Sequence, residues 1–530
     1  MFRKIVPLLM AVIMIVSAFG CSTPTATTVE QPTTAAQTTA TTAVQSTATT
    51  AKPGATVTLD YYIVGTGDTP VRPAVEAAIN AYIEPLIGAK VSFHIIPWAD
   101  WASKAIVCIQ AGEKMDIFFT ADWLNYMQLA STGLLTPLND DKGPNGNLLT
   151  QYGQGILTSL NPAFITGTQI DGVNYAVPTN KELSVPWGFV YNVTIADEIG
   201  FTDAEAAKVK TMADLEPWIA KAKTAHPDLY PYLTDGSMGF LQWVHSFASN
   251  ISDYVVNMKA APDASGKYDE SIVVPLETPW MKDYLATVHD WFKKGYINPD
   301  ASLSTFDTSK DLNAGKFFIE PMPLKGNNIK AQELVIASGN ADLKLKEIYG
   351  MPKVVASSDA GGSMLAIPKV SDNPVQAMKL LNLMHTDSKL INMMLYGVEG
   401  TQWKLDADGR VNVIDSAWVG AGPGALVLGD VTIQSVTNKE DPNKNKLLID
   451  YSKDALMIPS LGFRFRTEPV AAELTAIQTV VDGSQRALLT GYVDPATELP
   501  KIIQALKDAG LEKVRAEVEK QYLAWKATTK

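Results

Sequence analysis

Two α/β lobes are predicted for this chain of 530 residues, on three observations. Strand-like and helix-like segments alternate from Val57 onward, which implies a largely parallel sheet with helical crossovers. The stretch from about Thr56 to Lys530 exceeds the ~250–300 residues at which one hydrophobic core stops growing, so two lobes are the minimum. A low-complexity run, Ser22 to Ala55, sets this body apart from an apolar N-terminal segment.

Arg3 and Lys4 precede the apolar run Ile5 to Phe19, the pattern of a secretory signal over residues 1–20. The run is shorter than the ~20 residues that span a bilayer comfortably, and no later segment is a better candidate. Ala18-Phe19-Gly20-Cys21 resembles the bacterial lipobox, in which the cysteine is lipidated and becomes the first residue. Cys21 is therefore the expected lipidation site; an ordinary signal peptide with a chance cysteine is the alternative. Several acyl chains on one cysteine would anchor stably where a single chain would not. Residues 21–56 are almost all Thr, Ala, Gln, Ser and Pro. They hold too little apolar surface to offset ordering entropy, so they read as a disordered tether.

Along the body, Val57 to Val64 reads as a strand, being β-branched and aromatic and ending in Gly65-Thr66-Gly67. Val71 to Leu86 reads as a helix, Val91 to Ile96 as a strand, and Asp100 to Ala111 as a helix capped by Asp100 and stopped by Gly112. Asp116 to Thr120 is a third strand, followed by a helix over Trp123 to Ala130. Further helices are expected over Asp203 to Ala207, Met212 to Thr224 and Thr278 to Lys294. Lys316 to Glu320 and Ser363 to Ile367 read as returning strands. Asn373 to Asp387 is an amphipathic helix with Pro374 in its first turn. Pro500 to Lys526 is a helical end with an apolar stripe broken at Gly510.

Net charge is −12. Nucleic acid demands a basic surface, so no nucleic-acid partner is expected. With two cysteines and five histidines scattered along the chain, no zinc constellation is visible, and no cofactor is expected. Gly65-Thr66-Gly67 lacks the rest of a phosphate loop, and Asp406-Ala407-Asp408-Gly409 lacks the distal glutamate of an EF-hand.

The order of motifs resembles the extracellular solute-binding proteins of ABC importers, more narrowly the LipO-like carbohydrate-uptake group. The resemblance is carried by Ala111-Gly112-Glu113-Lys114-Met115-Asp116-Ile117, Gly133-Leu134-Leu135-Thr136-Pro137-Leu138, Asp171-Gly172-Val173-Asn174-Tyr175-Ala176-Val177-Pro178, Ala366-Ile367-Pro368-Lys369 and Tyr396-Gly397-Val398-Glu399-Gly400. In the last third, Gly462-Phe463, Gly491-Tyr492-Val493-Asp494-Pro495, Leu506 to Gly510 and Trp525 resemble that group's extra C-terminal domain. The resemblance implies a two-lobe, type II periplasmic-binding-protein-like fold with added C-terminal helices. It implies crossings near Thr168, near Thr308 and after Met384. Lobe 1 is then 57–167 plus 309–385, and lobe 2 is 168–308 plus 386–530. Around His226 to Asp235 there is no counterpart of the calcium loop that some relatives carry.

Ligands of such folds enter between the lobes at the carboxyl ends of strands. Sugars are gripped by aromatic faces and by side chains that donate or accept hydrogen bonds. In the first lobe Trp98, Trp101, Asp122, Trp123 and Asn125 follow predicted strands and are candidate contacts. From the second lobe and the later segments the candidates are Lys181, Glu182, Trp187, Trp243, Gly361, Gly362, Glu399, Trp403 and Arg464. Each has a structural alternative: Trp101 and Trp243 as core, Asp122 as a helix cap, Gly361-Gly362 as a tight turn, Glu399 as a turn residue. The reading is a monomeric, lipid-anchored protein outside the cytoplasm that captures an oligosaccharide and hands it to ABC importer permease subunits, with no catalytic residues. Capture of a peptide or other small solute, a surface glycosidase with two carboxylates, and an adhesive or signalling module remain the alternatives.

Overall fold

The computed structural model describes residues 56–529 except 244, 246, 248–250, 253, 420, 421, 423 and 425–427. The predicted signal peptide, Cys21 and the tether lie outside the described residues. Strands run in chain order as Val57–Gly65 (β1), Ala89–Pro97 (β2), Ile117–Thr120 (β3), Ala176–Pro178 (β4), Trp187–Asn192 (β5), Ile319–Pro323 (β6), Leu345–Tyr349 (β7), Val354–Val355 (β8), Met364–Ala366 (β9), Trp403–Leu405 (β10), Val411–Val413 (β11) and Leu456–Met457 (β12).

The first lobe is built on a five-stranded sheet in the order β2-β1-β3-β9-β4. β1 runs parallel to β2 and β3, while β9 runs antiparallel to β3 and β4. Helix Arg72–Ile87 buries Val75, Ile79 and Ile83, one residue per turn, against this sheet and ends at Gly88, whose φ of 68° suits a residue without a Cβ. The second lobe is built on β6-β5-β7, with both outer strands antiparallel to β5. Its core joins Phe189, Leu215, Ile219, Trp291 and Phe318 to Leu474, Leu506, Val514 and Tyr522 of the C-terminal helices.

Three segments join the lobes: 179–186, 350–363 and 437–462, with β8 and β12 paired in parallel within the last two. This differs from the expected crossings near Thr168, near Thr308 and after Met384. It also moves the lobe boundaries. Residues 319–349 belong with the second sheet, because Trp187 to Tyr191 pair in register with Pro323 to Ile319. Residues 386–419 and Leu428 belong with the first core, because Leu390, Met394, Trp403 and Trp418 pack with Leu380 and Leu381. A strand's own pattern says that one face is buried, not which sheet buries it.

Local expectations also shift. The second helix is Trp98–Gln110, and Asp100 sits in its first turn rather than capping it. The helix after β3 is Tyr126–Ser131, because Asn125 at φ 60° turns the chain before it. The terminal stripe is two helices, Pro495–Asp508 and Leu511–Thr528, broken at Gly510 with φ 100°. No helix among the described residues is long and apolar enough to cross a membrane.

Candidate binding cleft

Register gathers the site. The ends of β1 and β2 align as Gly65 with Pro97, Thr120 of β3 faces Met364 at the start of β9, and Met364 also faces Pro178 at the end of β4. The loops after β1, β2, β3 and β4 and the loop before β9 therefore leave one edge of the first sheet. That edge carries Trp98, Asp122, Trp123, Lys181, Glu182, Gly361 and Gly362. In the second sheet, Trp187 opens β5 beside the ends of β6 and β7, where two of the crossings begin or end.

Two indoles stand out on this edge. Trp98 is 52% exposed and Trp123 is 56% exposed. They lie nearly parallel, 23° between planes, with centroids 6.0 Å apart. Phe119 meets Trp98 edge-on at 5.9 Å. Trp123 Nε1 donates to the carbonyl of Gly362 at 2.8 Å, which fixes the ring's tilt. Asn125 tolerates its left-handed backbone better than most residues, and that turn presents Trp123 to solvent. The pair forms an apolar platform of the kind that receives the C–H face of a sugar.

A buried polar cluster backs the platform. Asp122 is not the open hydroxyl acceptor expected from sequence, nor a helix cap. Its amide donates to Gly361 O at 2.8 Å, and its buried carboxylate lies 2.6 Å from Arg464 Nη1. Burial raises the Asp122 pKa and the Arg464 charge opposes that rise. Arg464 also donates to Gly167 O and sits over the Tyr126 ring. A Cβ on Gly361 would fall 2.2 Å from Asp122 Oδ2, so this position needs glycine for close approach.

Lys181 and Glu182 form a buried pair at 3.1 Å. Burial alone would raise Glu182, but the Lys181 and Lys325 ammoniums hold it below the usual carboxylate range. Asp359, which the sequence reading missed, accepts from Ala356 N at 2.7 Å and is pushed by burial up to about 7. The only sequence signal for it was its place two residues before Gly361-Gly362.

Several expected contacts fall elsewhere. Trp101 is core, 1% exposed and packed on Phe118 and Phe119 at 5.2 and 5.7 Å. Trp243 is buried edge-on against Trp280 at 5.1 Å. Trp403 is buried and donates to Gly397 O at 2.9 Å, and Glu399 is an exposed turn residue before the β10–β11 hairpin. Apolar bulk drew Trp101, Trp243 and Trp403 into cores that the sequence alone did not locate. Trp187 is half-buried beside Met351, Val354 and Ile458 of the crossings. Among the described residues no group of His, Cys, Asp and Glu could hold a metal ion.

Two lobes joined by three crossings, with aromatic and polar groups gathered at one strand edge, define a ligand-enclosing binding protein. The bacterial extracellular solute-binding protein model matches residues 77–398, and the chain belongs to that family. A domain of unknown function, DUF3502, matches residues 459–527. A carbohydrate ABC transporter substrate-binding protein of Streptococcus pneumoniae is 29% identical over 455 residues, covering 84% of this chain and 86% of that protein. The N-glycan transport solute-binding protein NgtS of the same species is 25% identical in its crystal structure, with a TM-score of 0.75 over 89% of this chain and 100% of that one. Its complex with Man5GlcNAc gives a TM-score of 0.69 at 25% identity, over 89% and 99%.

Proposed function

We propose that this protein captures an oligosaccharide between its lobes and delivers it, unaltered, to the permease of an ABC importer. The observation that carries this is the exposed, near-parallel Trp98–Trp123 pair at the strand-end edge of the first sheet. The similar carbohydrate-transport protein and NgtS, whose structure holds Man5GlcNAc, support the ligand class. Lys181, Glu182 and Trp187 lie where the chain leaves that edge for the second lobe. A ligand touching both lobes would stabilise the closed form. Asp122, directly before Trp123, and Asp359, behind Gly361-Gly362, are both buried and engaged, by Arg464 and by Ala356 N. That supports binding without hydrolysis. Extracytoplasmic placement follows the family, and we infer that acyl chains on Cys21 hold the protein, as a monomer, at the membrane.

Titration with Man1GlcNAc and Man5GlcNAc, followed by tryptophan fluorescence and calorimetry, tests the reading. Saturable binding with a shifted emission supports it. Binding of peptides and no sugar would overturn the ligand class, and release of shortened glycan on prolonged incubation would overturn the absence of turnover.

A further inference from the structure

Apart from the tryptophan platform, a cavity of about 680 Å³ lies between residues 166–172 of the first lobe and the C-terminal segment. None of its lining residues belongs to the edge that carries Trp98 and Trp123. Its volume is inside the roughly 300–1,000 Å³ range of small-molecule sites. Gly462, Phe463, Arg464, Arg466, Gln521 and Trp525 stand on its far side, and all fall within residues 459–527, which DUF3502 matches. Alternation builds that wall. Phe463 and Phe465 sink into the second core, while Arg464 and Arg466 reach Asp122 and Asp171 of the first lobe.

The walls hold one aromatic face and several unused polar atoms. Trp525 is half-buried, tilted against Phe463 at 5.7 Å and stacked on Tyr522 at 5.8 Å, which fixes its indole as an apolar wall. Gln169 Nε2 donates to Asn174 Oδ1 at 3.3 Å, and Gln169 Oε1 has no partner among the described residues. Arg466 donates through Nη2 to Asp171 Oδ2, while Gln521 accepts from Arg466 N at 2.7 Å and fixes its backbone. Asp171 Oδ1 and Arg466 Nη1 are left without partners among the described residues. Each arginine is matched by a carboxylate, so the cavity offers hydrogen bonds with no excess charge. A charged ligand finds no spare counter-charge here. A neutral ring polyol meets a donor, two acceptors and an aromatic face together.

We infer that this cavity is a separate binding site for a neutral ring polyol of monosaccharide size, independent of the ligand held at Trp98 and Trp123. The first lobe and the C-terminal domain form it jointly, which gives that domain a binding role of its own. An occupant touches both sides, so it favours the arrangement that sets residues 166–172 opposite Trp525.

Calorimetry with glucose, mannose and glucuronate tests the site in a Trp123→Ala background, where half of the platform is gone. Glucose or mannose is expected to bind this background saturably, and glucuronate at least about 10-fold more weakly. Adding Trp525→Ala is expected to weaken the neutral sugars by about 5- to 30-fold. Adding Gln169→Ala, which leaves the Trp525–Phe463 packing intact, is expected to weaken them by about 2- to 5-fold. No saturable binding of either neutral sugar, or binding that neither added substitution lowers, overturns the site. Glucuronate that binds as tightly as glucose, or adenine that binds where the sugars do not, overturns the ligand class. Each of these results leaves oligosaccharide capture at the platform standing, because wild type with Man5GlcNAc reads that separately.

Discussion

Arg464 of the C-terminal domain places its guanidinium 2.6 Å from the buried carboxylate of Asp122 in the first lobe. The pair crosses between lobes where water is excluded. Removing one partner leaves the other charged and buried, which typically costs about 3–5 kcal/mol. Arg464→Met is therefore expected to unfold at clearly lower urea concentration than wild type. Adding Asp122→Asn should recover much of the loss, because the orphaned charge is gone. A double-mutant cycle measures this, and simple additivity of the two substitutions would show that the pair is not coupled.

Exposure separates Trp123 from Trp101, both candidate contacts on sequence. Trp123→Ala removes half of the platform and little of the core, so sugar affinity should fall by about 5- to 30-fold while the unfolding midpoint barely moves. Trp101→Ala removes a fully buried indole, so it should destabilise the first lobe by about 3–5 kcal/mol. Titration and urea unfolding of both variants read the contrast. Equal affinity of Trp123→Ala and wild type for every sugar would remove the platform from the site.

Glycine space gives a second contrast. Gly361→Ala would put a methyl 2.2 Å from Asp122 Oδ2, a side chain pinned by Arg464. Overpacking of that kind typically costs about 1–3 kcal/mol and should also weaken ligand binding by shifting Gly362, whose carbonyl holds Trp123. Gly483 lies within helix Ala471–Leu489, and nothing is within 4 Å of a Cβ there. Gly483→Ala is expected to stabilise by about 0.5–1 kcal/mol. Thermal unfolding reads both signs.

Much of the first lobe could be read directly from the residues. The run Val57 to Val64 and the alternation that follows it fix a parallel βαβ start, and Trp98, Asp122 and Trp123 follow strands whose ends must share an edge. The crossings were not legible in the same way. Lys316 to Glu320 reads as a strand that the resemblance places in lobe 1, and only the antiparallel register of Ile319–Pro323 with β5 assigns it to the second sheet. The partner of Arg464 was equally hidden. Alternation in Phe463-Arg464-Phe465-Arg466 shows that the arginines face away from the core, but Asp122 and Asp171 lie roughly 300 residues earlier. Asp359 has no periodic or motif signal, since its perturbation comes from burial among groups brought by three separate segments.

That perturbation makes stability depend on pH. Burial pushes Asp359 up to about 7, with Glu182 and Asp122 adding to the rise and Ala356 N and Lys181 opposing it. In the unfolded chain an aspartate titrates near about 3.9. Between these values the folded state holds a proton that the unfolded state has lost. The contribution of Asp359 is thus fully present below about pH 4 and is lost as pH rises through about 7. Asp359→Asn stays neutral throughout and keeps an oxygen to accept from Ala356 N. Its stability relative to wild type should therefore improve between pH 4.5 and pH 8.5, by something on the order of 2–4 kcal/mol. Urea unfolding of both proteins at the two pH values measures the difference. A gap that stays constant with pH would mean that Asp359 is already ionised in the folded protein, with Lys181 outweighing burial.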